Sequence, residues 1–244
     1  MIHDRTTLIL AAGTGARWTG ASPKQLALCG GVPLIDRTIA LARDFDISPV
    51  VVVTCDPRIV RPSAGWYMPR RCRWAVESLY ETRPLWRERT VVLLGDVFYT
   101  EEAFAAITSD VRSLAFFGRS GPSRFTGSRH GEMFALVFDR SLTNRLITHL
   151  ERAIEDARRG GRGKLWELYR SCAGLPLRRH QVEDALFCEI DDHTDDIDSV
   201  SEYRRKRRIW EGRVLRKAKS ELHDRGSVMS VRRHLGIRRM RRAA

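Results

Sequence analysis

A short glycine-containing loop near the N-terminus has the residue types that bind phosphate groups. Two glycines, Gly13 and Gly15, follow an apolar run that ends near Leu10. Glycine lets the backbone turn tightly, and successive backbone N–H groups form an anion-binding concavity. Arg17 adds a planar guanidinium fork for phosphate oxygens, and Lys24 adds a compact positive charge. Together these groups have the chemistry to hold a triphosphate.

Two familiar phosphate-binding motifs do not fit this loop. Gly15 and Gly20 have the spacing of a Walker A motif, but Ala21-Ser22 stands where that motif requires Lys followed by Ser or Thr. The dinucleotide-binding fingerprint G-x-G-x-x-G begins at Gly13 but has Trp18 in place of its third glycine. Because a Gly-x-Gly turn is also a common connector, the loop needs support from its context.

The elements around this loop predict an α/β fold with a mainly parallel sheet. Apolar runs typical of buried strands alternate with helical patterns. We expect strands at Thr7–Leu10, Pro49–Thr54, Arg73–Val76, Thr90–Leu94, Ser113–Phe117, Phe134–Phe138 and Phe187–Ile190, and helices at Leu34–Arg43, Glu101–Ile107, Thr143–Arg158 and Leu165–Ala173. Such βαβ units place helices on both faces of the sheet, and their ligands bind beyond the carboxyl ends of the strands. Chemistry is therefore expected just after Leu10, Leu94 and Ile190.

The loop and the two segments that follow it resemble a known superfamily. Leu10-Ala-Ala-Gly-x-Gly-x-Arg17 is followed by Pro23-Lys-Gln-Leu26 and by Gly31-x-Pro-Leu-Ile35. This combination is similar to the opening of nucleotidyltransferases with a glycosyltransferase-A-like fold, which include sugar-phosphate nucleotidyltransferases and MobA-like proteins. The resemblance is strong over residues 7–43 and patchy but ordered to about residue 202. It implies a Rossmann-like, three-layer αβα fold with a mainly parallel mixed sheet.

The resemblance implies that the first loop binds the nucleotide. The matching positions are Leu10, Ala11, Ala12, Gly13, Thr14 and Gly15, with Arg17 and Lys24 as the catalytic cations on the phosphates. Ser78 matches a small polar position that lies against the base and ribose in the superfamily. A helix N-cap or a turn residue is an equally good interpretation of Ser78.

The resemblance also implies a Mg²⁺ site. Asp96, after the central strand, and Asp191, after a late strand, match the two metal carboxylates of the superfamily. Asp192 is the alternative to Asp191, because the late segment is one residue longer than the pattern. An Asp at a strand end also starts turns. Thr194 or its neighbour can cap a helix that we expect to begin near Asp196, and acids favour the N-terminus of such a helix.

Two segments, one with Arg119 and one with Glu132, resemble the acceptor side of the sugar-phosphate members, and a third side chain, Lys164, follows a glycine-rich segment. Arg119 can hold a phosphate, Glu132 can accept hydrogen bonds from acceptor hydroxyls, and Lys164 can bring another cation to the site. An ordinary surface charge is as good an interpretation of Lys164.

The implied reaction is an in-line displacement at the α-phosphorus of a nucleoside triphosphate, with release of pyrophosphate. The acceptor is expected to be a phosphorylated small molecule, with a sugar 1-phosphate as first choice and an alcohol phosphate as second. A phosphate monoester is largely dianionic at pH 7, so the step needs alignment and charge neutralisation by Mg²⁺ rather than a general base.

Two other functions compete with nucleotidyl transfer. A glycosyltransferase that consumes a nucleotide sugar usually carries Asp-x-Asp after the central strand, whereas Gly95-Asp96-Val97 stands there. Asp196-Ile197-Asp198 has that spacing, but we expect a helix to begin at this point. The second alternative is a non-enzymatic module that binds nucleic acid or a protein partner through a basic tail.

The positive charge of the chain is confined to its C-terminal part. Residues 203–244 carry 16 Lys or Arg and three acids, and their net charge of +13 equals that of the whole chain. We therefore predict a nucleotidyltransferase domain, 1–202, and a basic, helical C-terminal extension, 203–244. The apolar stripe that includes Tyr203 and Trp210 either packs on the domain or leaves the extension to contact nucleic acid, an anionic membrane surface or another protein.

Cysteine usage and hydropathy favour a soluble, cytoplasmic protein. The five cysteines include no C-x-x-C pair, which argues against a disulfide framework and a structural zinc site. No apolar run reaches the roughly 18 residues of a transmembrane helix. The short run Leu8–Ala12 is followed by glycine-rich sequence rather than by a signal-peptide cleavage site. The sequence leaves the oligomeric state open, a homo-oligomer included.

Overall fold

A seven-stranded sheet dominates the computed structural model, which describes residues 4–13, 15, 17–183 and 185–213. The strands in these residues are β1 Arg5–Leu10, β2 Leu28–Cys29, β3 Val32–Pro33, β4 Val50–Val53, β5 Gly65–Tyr67, β6 Arg89–Leu94, β7 Val97–Phe98, β8 Leu114–Arg119, β9 Glu132–Asp139, β10 Phe187–Glu189 and β11 Asp195–Asp196. The helices are α1 Leu34–Asp44, α2 Ala75–Glu81, α3 Glu101–Ser109, α4 Thr143–Arg158, α5 Leu165–Cys172 and α6, which covers 200–213.

The large sheet has the order β10-β8-β9-β6-β1-β4-β5, and β9 alone runs against the other six strands. The central strand β1 pairs in parallel with both β4 and β6, so that Leu10 lies opposite Val53 on one side and Leu94 on the other. The carboxyl ends of these three strands therefore meet at one edge, where an open α/β sheet binds its ligands. The predicted mainly parallel, mixed sheet is confirmed.

Helices cover both faces of the sheet because successive residues of a buried strand point to opposite sides. Leu8 and Leu10 of β1 pack in one core with α2, α4 and α5. Ile9, between them, packs in a second core with α1 and α3. The two cores and the sheet between them form the predicted three-layer αβα architecture.

Two sequence predictions of local structure are wrong, and the remaining strands and helices end within two residues of their predicted bounds. The strand expected at Arg73–Val76 is instead the entry to α2, where Val76 and Leu79, one turn apart, are both fully buried. The helix expected near Asp196 begins at residue 200, because Asp195–Asp196 forms β11 and pairs antiparallel with β7. The pairing of β11 with β7, almost 100 residues earlier in the chain, therefore outweighs the local preference of Asp195 and Asp196 for the start of a helix.

Helix α6 crosses the predicted boundary at 202/203 and packs on the body. Trp210 is fully buried and stacks on Phe98 with ring centroids 4.7 Å apart, and its Nε1 donates to the carbonyl of His193 at 2.9 Å. The hydroxyl of Tyr203 donates to the carbonyl of Leu28 at 2.7 Å. The first part of the predicted extension therefore packs as the apolar stripe predicts. Residues 214–244, on which the predicted partners of the basic extension depend, lie outside the described residues.

None of the helices found in the described part of the chain is long and apolar enough to cross a membrane.

Candidate active site

The loop after β1 is anchored at its base by the two neighbouring strands. The backbone N–H of Ala11 donates to the carbonyl of Val53 at 2.8 Å, and that of Gly95 donates to the carbonyl of Leu10 at 2.9 Å. The side-chain amide of Gln25 donates to the carbonyl of Ala11 at 3.4 Å. Gly15 has a φ of 56°, in the left-handed region that disfavours other residues. The loop therefore has a fixed start and a glycine-dependent turn.

A cavity of about 360 Å³ opens beside this loop at the carboxyl edge of the sheet. The predicted site residues that line it are Leu10, Ala12, Gly13, Gly15, Arg17, Lys24, Ser78, Asp96, Glu132 and Lys164. Ala11 lines a neighbouring depression on the other side of the loop. Thr14 lies outside the described residues. The structure thus brings most of the predicted residues to one cavity, while their roles toward a ligand stay predictions.

Lys24 lies between two carboxylates of the cavity. Its ammonium contacts the carboxylate of Asp96 directly and lies 3.7 Å from that of Asp198. It also donates to the carbonyl of Ile197 at 3.2 Å. Burial acts to lower the pKa of Lys24, but the attraction of Asp96 and Asp198 outweighs it and raises this pKa above its usual range. Lys24 therefore stays charged and joins the end of β6 to the segment before α6.

A cluster of acids faces this lysine. Carboxylate oxygens of Glu132, Asp196 and Asp198 lie within 4.8 Å of one another. Glu132 begins β9, Asp196 ends β11, and Asp198 precedes α6, so three separate elements supply the cluster. Burial, with repulsion from Asp198 and Asp195, raises the pKa of Glu132 to about 7. Burial and the nearby acids also raise the pKa of Asp196 well above its usual value. The cluster therefore brings three acids together, one of which, Asp198, pairs with Arg17 and Lys24.

Asp191 and Asp192, the predicted alternatives for the second metal ligand, do not reach this cluster. The carboxylate of Asp191 pairs with the exposed guanidinium of Arg124. The carboxylate of Asp192 accepts hydrogen bonds from the Thr100 hydroxyl and from the backbone N–H of Thr194, the latter at 2.6 Å. Neither residue lines the cavity. Asp196 and Asp198 line the cavity instead. They form the Asp-x-Asp segment that was not considered for the site, because a helix was expected to begin there.

Arg119, a predicted acceptor ligand, is likewise absent from the cavity lining. It is 1% exposed, and its guanidinium donates to the carbonyls of Gly121 and His130 and to the carboxylate of Asp195 at 3.2 Å. Since the carboxylate of Asp195 neutralises this guanidinium, Arg119 stabilises the segment around β11 from within. Glu132 and Lys164, the other two predicted acceptor ligands, do line the cavity.

Lys206 is a buried cation that the sequence analysis counted as part of the basic extension. Its side chain is 0% exposed, and its ammonium lies 3.1 Å from the Asp195 carboxylate and 2.7 Å from that of Glu202. It also donates to the carbonyl of Asp196 at 2.7 Å. Lys206 therefore supports the strand that carries Asp196 without itself lining the cavity. No local sequence signal separates it from the exposed basic residues beside it on α6.

The cavity wall opposite the loop is formed by the start of α2. Ser78 lies within α2, and its hydroxyl donates to the carbonyl of Trp74, the residue at the N-cap position, at 3.2 Å. The N-cap interpretation of Ser78 is therefore wrong. Ser78 does line the cavity, and its contact with a nucleotide stays a prediction. Arg73 and Trp74 also line the cavity and were missed, because the segment was expected to be a strand.

Comparisons with known proteins agree with this arrangement. The model of the MobA-like NTP transferase domain matches residues 7–163. Similar solved structures include the CTP:phosphocholine cytidylyltransferase LicC of Streptococcus pneumoniae, with 17% identity over 84% of this chain and 99% of that chain and a TM-score of 0.59. A putative glucose-1-phosphate thymidylyltransferase of Bacillus anthracis shows 14% identity over 85% of this chain and 95% of that chain, with a TM-score of 0.58.

The inositol-1-phosphate CTP transferase of T. maritima shows 13% identity over 85% of this chain and 97% of that chain, with a TM-score of 0.54. At such identities these structures establish the shared fold. No curated protein matches the sequence at a significant level. The match over residues 7–163 covers the loop, Lys24, Asp96 and Glu132, and with it the predicted superfamily is confirmed: the chain belongs to the family of the MobA-like NTP transferase domain.

Proposed function

We propose that the protein transfers a nucleotidyl group from a nucleoside triphosphate to a phosphorylated small molecule and releases pyrophosphate. One observation carries the proposal: the glycine loop, Lys24 and the acid cluster all face one cavity at the carboxyl edge of the sheet. Membership of an NTP transferase family supports the triphosphate as donor. The similar structures are named for phosphocholine, glucose 1-phosphate and inositol 1-phosphate, which supports a phosphorylated acceptor. A sugar 1-phosphate is our first choice.

The acid cluster fits a divalent cation. Its donors are carboxylate oxygens, which Mg²⁺ prefers, and three of them converge within 4.8 Å. Burial and repulsion between the acids raise the pKa values of Glu132 and Asp196, and a bound cation would lower both. Asp196 and Asp198 would hold Mg²⁺. Asp96 lies beyond the Lys24 ammonium, which is placed between the carboxylates of Asp96 and Asp198. When bound there, the ion would neutralise and orient phosphate oxygens.

Cationic side chains of the protein would stabilise the charge that develops during the transfer. An oxygen of the acceptor phosphate attacks the α-phosphorus and forms a new P–O bond, while the bond to the pyrophosphate oxygen breaks. Lys24 and Arg17, both at the cavity, are placed to neutralise the charge that accumulates on the departing pyrophosphate. Because the attacking phosphate is already largely dianionic at pH 7, no side chain has to remove a proton.

Pyrophosphate release tests the proposal directly. The full chain is incubated with Mg²⁺, each of the four NTPs, and a panel of sugar 1-phosphates and alcohol phosphates, and NTP binding is measured in parallel by calorimetry. We expect release that requires one NTP and one acceptor and that stops when Mg²⁺ is chelated. A glycosyltransferase would consume a nucleotide sugar without forming pyrophosphate. Failure to bind any NTP would overturn the proposal.

Removing the Lys24 ammonium is expected to slow the reaction strongly. For Lys24→Ala we predict a fall in kcat of about 10²–10³, the usual effect of losing one preorganised charge contact. Steady-state pyrophosphate release measures it. The control is Arg58→Ala, which removes an exposed cation that lines the neighbouring depression but not the cavity. Equal rates for the two variants would contradict the role of Lys24.

Gly163 is expected to control the shape of the cavity wall. It has a φ of 64°, and a Cβ added there would collide with the Trp74 ring. We predict that Gly163→Ala raises the NTP Kd by about tenfold because Trp74 must move, a loss of about 1.4 kcal/mol of binding. Gly160→Ala is the matched control: Gly160 has a φ of 94° and open space around its Cβ position. Both variants lose about 1 kcal/mol of stability to backbone strain, but only the first should lose nucleotide affinity.

A further inference from the structure

A second cavity, of about 680 Å³, adjoins the first one. Residues that line both cavities are Arg17, Glu132, Arg162, Lys164 and Trp166. The second cavity extends from this shared wall toward α5 and the 120–131 segment. A molecule bound in it would therefore reach the site where the triphosphate is proposed to bind.

The lining of the second cavity is strongly cationic. Six Lys or Arg and two His face two Glu among its described lining residues. One of these two acids, Glu167, is already engaged, since it pairs with Arg170 at 2.7 Å and accepts from the backbone N–H of Lys164 at 2.7 Å. Arg129, Arg162 and Lys164 form no ion pair with any described residue. Arg17 and Arg178 pair with Asp198 and Asp156, which lie outside the lining of this cavity. The remaining unpaired cations give a surface that attracts a ligand with several negative charges.

The cations fall into two sets along the cavity. Arg17, Arg162 and Lys164 belong to the wall shared with the first cavity. Arg129, Arg170 and Arg178 line the second cavity alone. The phosphate that attacks the α-phosphorus must lie at the shared wall, next to the donor. The three arginines of the second set, which we call the distal arginines, therefore face another part of the acceptor.

Arg170 gives independent evidence for an anionic ligand group at the part of the second cavity that the distal arginines line. The residue is 6% exposed and lines the second cavity, yet its Nε is buried without a hydrogen-bond acceptor among the described residues. Glu167 occupies only its Nη2. Burial of an unpaired guanidinium N–H is costly, and buried donors are normally satisfied. An anionic oxygen in the cavity is the partner that such a donor requires.

We infer that the acceptor carries a second anionic group, separate from the phosphate that reacts, and that the distal arginines bind it. This inference rests on the proposed function for the identity of the first phosphate. It narrows the acceptor from phosphorylated small molecules in general to those with two separated anionic groups, such as bisphosphorylated or carboxylated sugar phosphates.

A matched pair of sugars tests the inference. Binding of glucose 1-phosphate and of glucose 1,6-bisphosphate to the full chain is measured by calorimetry at fixed ionic strength. We expect the bisphosphate to bind at least about tenfold more tightly, the effect of one charge-assisted contact. The double substitution Arg129→Gln and Arg178→Gln, both on exposed side chains, should remove this difference and leave monophosphate affinity unchanged. Arg140→Gln, on an exposed arginine that lines neither cavity, is the control.

The outcomes separate this inference from the proposed function. The inference of a second anionic group is wrong if the wild-type chain binds the two sugars with equal affinity. It is also wrong if the tighter binding of the bisphosphate survives the double substitution. Pyrophosphate release with both sugars at equal KM overturns it as well, while the transfer reaction stands. Selective, arginine-dependent binding of the bisphosphate without NTP binding would reject the transfer reaction and keep the anion site.

Discussion

Replacing Asp198 by asparagine is expected to lower the rate of pyrophosphate release by at least about 10²–10³, whereas the same substitution at Asp191 leaves it nearly unchanged. Asp198 lies in the acid cluster with Glu132 and Asp196 and lies 3.7 Å from the Lys24 ammonium. Asparagine keeps the size of the side chain but removes the negative charge that would hold a divalent cation in the proposed site and that faces Lys24. Asp191 lies outside the cavity and is paired with an exposed arginine.

Mg²⁺ titration followed by calorimetry gives a second measurement for the same pair of variants. The Asp198→Asn chain should lose detectable Mg²⁺ binding in the presence of NTP, and the Asp191→Asn chain should retain it. Because Asp191 follows β10 and Asp198 follows β11, the comparison also decides between the sequence-based and structure-based assignments of the second carboxylate. A large loss for Asp191→Asn with little effect for Asp198→Asn would favour the sequence-based assignment to Asp191.

The nucleotide side of the site could be predicted because local pattern and position agree there. The apolar runs of β1 and β6 have no polar alternation, so they had to be central and parallel. The residues after Leu10 and Leu94 then had to lie at the same edge of the sheet, and the structure brings Gly13, Lys24 and Asp96 to one cavity there. Gly13 follows β1 and Asp96 follows β6 within three residues. An error of one or two residues in a predicted strand end therefore does not move either residue away from this edge of the sheet.

The acid cluster was not predictable from local pattern because its geometry depends on distant pairings. Asp195 and Asp196 have the composition of a helix start, and they form a strand only because β7 lies beside them. Arg119 has the character of a phosphate ligand, but Asp195, 76 residues away, draws it into the interior. An ion pair of this separation leaves no period or spacing in the sequence. Local pattern therefore located the acidic segment but did not indicate that Asp196 and Asp198, rather than Asp191, line the cavity.

The largest effect on stability is expected from Lys206→Met, which we predict to lower the free energy of unfolding by about 3–5 kcal/mol. The Lys206 ammonium is completely buried against Asp195 and Glu202 and supports the backbone of Asp196. Methionine fills similar space but leaves these carboxylates with less positive charge, and a buried charge without its partner is strongly unfavourable. Urea unfolding followed by circular dichroism measures the loss. Arg207→Met is the matched control, because Arg207 is half-exposed and its pair with Glu211 lies on the surface, where solvent screens such pairs and they contribute little.

The loss should also depend on pH in a defined direction. Burial acts to raise the pKa of Asp195, but Lys206 and Arg119 outweigh it and hold this pKa below its usual value of 3.8. A depressed carboxyl pKa stabilises the folded state above the unfolded pKa, and that stabilisation disappears as pH falls through the folded pKa. Without Lys206 the pKa of Asp195 rises, so the difference in unfolding free energy between wild type and Lys206→Met should be largest near pH 7 and shrink as the pH falls below 3.8, through the depressed pKa of the wild type. A difference that stays constant as the pH falls below this value would mean that Lys206 stabilises the fold through packing rather than through its charge.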